Sequence, residues 1–120
     1  MTTPTNLPAN PSIPLSPELK AAYQNAYNTM QAQIDSTMDP VALQALNAAQ
    51  IQIQSVLDKN DLYKLNQNTA AFSELQKQFD AANKSLKTLK AQIAATASHF
   101  SMAADIIAAI NGVLSLIPGA

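Results

Sequence analysis

Residues 65–100 read LNQNTAAFSELQKQFDAANKSLKTLKAQIAATASHF, and the reading of this stretch decides the fold. Leu65, Phe72, Phe79, Leu86, Ile93 and Phe100 recur at every seventh position, and Ile107 and Leu114 continue the interval. Three residues further on lie Leu75, Ala82, Leu89, Ala103, Ile110 and Ile117. Apolar residues alternating at three and four positions form the seam of a coiled coil. Neither proline nor glycine interrupts the pattern before Gly112. The spacing therefore predicts one long helix over about 61–102 or beyond. Continued to Asn111, it would measure about 75 Å at about 1.5 Å per residue. Asn68 and Thr96 fall on the seam, either as polar residues that fix its register or where it is partly wet.

Upstream of this stretch, two shorter helices are marked by their starts. Ser16-Pro17-Glu18 supplies an N-cap, a proline at the first helical position and an acid in the first turn. Leu19, Tyr23, Ala26, Met30 and Ile34 then make one apolar stripe in a helix over 17–38. Asp39-Pro40 interrupts it, because the residue before proline is driven out of the α region and Asp39 can cap a new helix. A second helix over 40–58 presents Leu43, Leu46, Ile53 and Leu57. The polar run Asp58-Lys59-Asn60-Asp61 reads as the turn into the long helix. Met30 and Met38 are expected to fill gaps in the core.

The fold class is all-α: an antiparallel coiled-coil-like helical hairpin, or an uneven three-helix bundle, over 16–102. Residues flanking the seam are mostly Gln, Asn, Ser, Ala and Thr rather than paired Glu and Lys. Zippers choose partners through charges at those positions, so packing within the chain is expected. Residues 1–15 form a proline-rich extended arm, with five prolines between Pro4 and Pro17 and no charge before Glu18. Residues 103–120 are a separate apolar segment.

Composition narrows the function. Seven lysines, no arginine and eight acids give a net charge of −1, which argues against nucleic acid, where Lys and Arg must neutralise phosphates. Lys84, Lys87 and Lys90 make a mild basic stripe with no interleaved aromatic, as a solvated face would. The chain has no cysteine, so no disulfide, zinc–thiolate or thiol chemistry is available. The N-terminal residues show neither a basic nor an apolar signal region, so the expectation is a cytoplasmic protein or export by a leaderless route. Asn83-Lys84-Ser85 matches a glycosylation sequon by chance within a helix.

No chemistry-bearing constellation is legible, and no enzyme activity, cofactor or metal is expected. His99 is the lone histidine, has no acid at helical spacing, and reads as a bystander. The stretch DKNDLYKLN at 58–66 lacks the glycine and final glutamate of a calcium loop. Tyr23 lies on the first helix's stripe and is expected in the core. Tyr27 lies beside it and is a candidate half-exposed contact.

The C-terminal segment holds the candidate partner-binding residues. Ile106, Ile107, Ile110, Val113, Leu114, Leu116 and Ile117 fall within twelve positions. Burying them is worth roughly 10–20 kcal/mol at about 1.5–3 kcal/mol each, against about 5–15 kcal/mol for the net stability of a domain. Such a surface has to fold back, find a partner or meet a membrane. The apolar run is too short to span a bilayer and carries Asp105 and Asn111, and Asn111-Gly112 reads as a helix stop. Docking on a protein partner, together with Tyr27, is the favoured expectation, with self-coverage second. The partner is expected to be a different protein, with a homo-oligomer and membrane contact through the tail as alternatives.

The proline-marked break in MDPVALQALNAAQIQIQS, residues 38–55, set in a Gln-, Asn- and Ala-rich chain without Cys or Trp, resembles the small helical-hairpin subunits and effector-accessory proteins of bacterial protein-secretion machineries. The chain lacks the W-x-G turn of one secreted hairpin family. The resemblance implies a non-enzymatic chaperone, adaptor or structural subunit. The alternatives are a pore-forming component with a coiled-coil stalk and a self-assembling subunit.

Overall fold

Ser16 sets the first helix. Its hydroxyl accepts the Leu19 N–H at 3.1 Å, with Pro17 and Glu18 in the first turn, and α1 runs Pro17–Ser36. The computed structural model describes residues 13–117. Among them are four α-helices, a short 3-10 turn and no strand, with extents of 55 × 24 × 20 Å. Residues 1–12 of the expected arm, and 118–120 of the tail, lie outside the described residues.

α1 stops two residues earlier than the spacing predicts, and Met38, expected in the core, is 92 % exposed in the link. Asp39 then caps α2 (Pro40–Asn66), its Oδ1 accepting the Val41 N–H at 2.9 Å. Leu46, Ile53 and Leu57 are buried as expected and Leu43 is half-buried. The Asp58–Asp61 turn does not form. Val56, Leu57 and Asn60 carry the buried face of α2 through it, and its charges pair outward, Lys59 with Glu74 and Asp61 with Lys20, each at 3.7 Å. Polar residues on the outer face of a helix are no reason for it to stop.

The turn falls instead at Gln67-Asn68. Gln67 takes a left-handed conformation (φ 46°), its N–H bonding to the Tyr63 carbonyl at 2.7 Å. Asn68 caps α3 (Thr69–Ala95) by accepting the Ala71 N–H at 2.8 Å. Asn68 is thus a cap and not a seam residue. Leu65, expected to open the seam, belongs to α2 and is 81 % exposed.

Phe72, Leu75, Phe79, Ala82, Leu86, Leu89 and Ile93 are buried along α3. The expected long helix breaks after Ala95. Thr96, the other polar seam residue, caps its end, its hydroxyl donating to the Gln92 carbonyl at 2.7 Å. A 3-10 turn at Ala97–His99 follows, and Phe100 is buried beyond it. The seven-residue interval reaches Phe100 but no further: beyond the break Ile106, Ile110 and Val113 are buried, while Ile107 and Leu114, which continue the interval, are only half-buried. α4 (Ala103–Leu114) then packs on α1 and α3. It passes through Asn111-Gly112, where a stop was expected.

Cross-helix pairs fix the directions. Lys20 meets Asp61 and Gln31 meets Gln50, so α1 and α2 are antiparallel. Gln52 meets Gln78 and Lys59 meets Glu74, so α2 and α3 are antiparallel. Tyr63 and Phe72 close the tip edge to face, with centroids 5.6 Å apart. One contiguous core joins all four helices, and Ile13 and Leu15 extend it ahead of α1. The Leu15 N–H donates to Oδ1 of the fully buried Asn60 at 2.9 Å. The Asn60 Nδ2 is buried without a partner among the described residues, a cost of about 1–3 kcal/mol that burial of Ile13 and Leu15 offsets.

Candidate interaction site around the C-terminal helix

α4 is the most apolar helix among the described residues, and its side chains divide by face. Ile106, Ile110 and Val113, spaced at four and three, are fully buried with Ala109 beside them. Ile107, Leu114 and Ile117 are half-buried against the same core, and Leu116 is 45 % exposed. Ile106, Ile110 and Val113, expected at a partner interface, lie in the chain's own core where α4 packs on α1 and α3. A buried aliphatic is worth about 1.5–3 kcal/mol, so these three supply part of the chain's own stability. Four of the seven tail candidates keep surface. They gather at the end of α4, with Ile107 two turns back.

Tyr27 is not brought together with them. Its carbonyl accepts the Gln50 side-chain N–H at 3.2 Å, which places it on the flank of α1 next to α2. The opposite flank borders α4 across an open groove of about 520 Å³, where Asn25, Asn28 and Ala32 oppose Asp105 and Ala108.

Polar contacts hold the joint between α3 and α4. Gln33, fully buried on α1, accepts the Met102 N–H at 2.7 Å through Oε1 and donates from Nε2 to the Ser101 hydroxyl at 3.0 Å. Met102 begins α4 without a side-chain cap of its own, so Gln33 does the work of a cap from another helix. His99 Nδ1 lies 2.6 Å from Asp39 Oδ2. The bystander reading of His99 is thereby corrected, because its acid is sixty residues away rather than one helical turn. The hydrogen bond from His99 holds the Asp39 carboxyl below the usual carboxylate range, and the Val41 N–H acts in the same direction. Asp39 thus serves the start of α2 and the joint before α4 at once.

Further into the core, the Tyr23 hydroxyl donates to Asn83 Oδ1, and burial pushes the phenol well above its ordinary range. It is held neutral as a donor. Among the described residues no three His, Cys, Asp or Glu side chains converge as metal ligands would. No helix among them is long and apolar enough to cross a membrane.

No protein-family model matches the chain, and comparison with curated proteins and with solved structures gives no match either.

Proposed function

We propose that the chain is a non-enzymatic protein–protein interaction module, an accessory, chaperone or adaptor subunit, in which an antiparallel α2–α3 hairpin serves as scaffold for α1 and α4. The observation that carries this reading is the apolar rim at the end of α4. Leu116 is exposed, and Leu114 and Ile117 are half-buried beside it. Aliphatic side chains clustered at one end of a helix whose other face is already in the core give a partner an apolar anchor without unfolding the chain. Bacterial protein secretion is the setting that the compositional resemblance over about residues 16–95 implies.

Site-specific photo-crosslinking tests it. A benzophenone side chain at Leu116 should give a discrete adduct in extract of the native host, and one at Lys87, exposed on α3, should not. Ile117→Asp should abolish the adduct while the chain keeps a cooperative melt, lowered only in part because Ile117 is half-buried. Adducts of equal yield from both positions, or flotation of the full chain with liposomes in place of a protein adduct, would refute the reading.

A further inference from the structure

The solvent face of α2 carries a second coiled-coil pattern. Ala48, Ile51, Ser55, Asp58, Leu62 and Leu65 succeed one another at steps of three, four, three, four and three. At about 100° per residue they lie on the side of α2 opposite its buried Leu46, Ile53 and Asn60. Ile51 is 66 % exposed, Leu62 47 % and Leu65 81 %. Single exposed aliphatics are ordinary. Three on one 3-4 seam of one helix make a docking stripe. The stripe exists because α2 runs on through Asp58–Asp61, which places Leu62 and Leu65 on the same helix as Ile51.

We propose that this stripe pairs with itself: α2 docks antiparallel on α2 of a second copy, about a two-fold axis midway between Val56 and Leu57. The argument is self-complementarity. In this register Ile51 meets Leu62 of the second copy, and small Ala48 meets long Leu65 of the second copy. Ser55 faces Asp58 of the second copy, hydroxyl to carboxylate. Every layer then repeats on the other side of the axis, as an isologous interface requires. Gln54 already donates to Asp58 Oδ1 at 3.0 Å, which holds the carboxylate in place. The parallel, in-register alternative sets Asp58 against Asp58 at the centre of the seam, where like charges repel. A net charge of −1 opposes association little. The seam is about 26 Å long at about 1.5 Å per residue. One helix pair of that length falls below a standard interface of about 1,600 Å², so the dimer is reversible and concentration-dependent. The pairing uses a surface separate from the rim of α4 and does not depend on it.

Two experiments on the full chain test it. Sedimentation velocity from about 1 μM to about 1 mM, a range that brackets weak association, should show a monomer converting to a dimer. The double substitution Ile51→Glu, Leu62→Glu should stay monomeric throughout with an unchanged thermal melt. The chain has no cysteine, so introduced thiols report orientation directly. An equal mixture of Ile51→Cys and Leu62→Cys proteins should form a disulfide-linked pair at least tenfold faster than either protein alone. A wild-type chain that stays monomeric overturns the proposal, as does a double variant that still dimerises. Preferential linking of Leu62→Cys to itself overturns it too, because that reports parallel pairing.

Discussion

Replacing Gln33 by methionine removes a buried polar anchor while nearly preserving its volume, so the effect isolates the hydrogen bonds. Gln33 is fully buried and satisfies the Met102 N–H and the Ser101 hydroxyl. In the Gln33→Met variant the Met102 amide keeps its position but loses its acceptor, and leaving this part-buried N–H unpaired costs about 1–3 kcal/mol. The lost bond to Ser101 adds about 1 kcal/mol, since that hydroxyl can turn to water. The expected total is about 2–4 kcal/mol, read from the midpoint and slope of a reversible urea titration. The loss should also be local. Both bonds tie the α3–α4 joint to α1, so amides of Ile106–Val113 should gain exchange before those of Leu46–Leu57. A destabilisation under about 0.5 kcal/mol, or a uniform rise in exchange across α2 and α4, would refute the claim that Gln33 anchors α4.

Phe79→Ala should cost about 3–5 kcal/mol in the same titration, as aromatic truncation in a packed core does, because Phe79 is 3 % exposed at the centre of α3; a loss under about 1 kcal/mol would contradict its placement. For Asp39, the folded carboxyl is held below its ordinary range by His99, so its contribution is complete above the unfolded carboxylate pKa of about 3.9 and is lost as pH falls through the folded value. Asp39→Asn keeps an N-cap but removes the charge. Its melting temperature should lie below wild type at about pH 6 to 7, and the two curves should converge as acid protonates Asp39; a constant gap down to the acid transition would show that the pair with His99 is not responsible.

The caps are the most legible part of the fold. Ser16-Pro17 and Asp39-Pro40 start α1 and α2 where the sequence places them, since both signals are local. The seam from Phe72 to Ile93 is equally plain. The α2–α3 turn has a signal too: Asn68 is a favoured N-cap, but its place on a seven-residue interval assigns it to the seam instead. Gln33 carries a usable signal, because Ala26, Met30 and Gln33 continue the stripe at four and three, and a polar residue there asks for a buried partner. Ile34 competes with it for the same place on the stripe, being the more apolar of the two, and is only half-buried. The partners themselves have no such signal. His99 finds Asp39, Gln33 finds Met102 and Tyr23 finds Asn83 across sixty or more residues, and no local spacing encodes such pairs.

The α2–α3 link of two residues also orders events in time during synthesis. A loop that short closes at little entropic cost, so α2 and α3 can meet as soon as both exist. α1 is made before either, yet its buried glutamine bonds to residues 68 and 69 positions later in the chain. Until Ser101 and Met102 have left the ribosome, Gln33 lacks the partners it has in the folded chain, and the apolar stripe of α1 lacks the cover of α4. α1 is therefore made well before it can have all its contacts, and the nascent chain carries that stripe part-covered until α4 emerges.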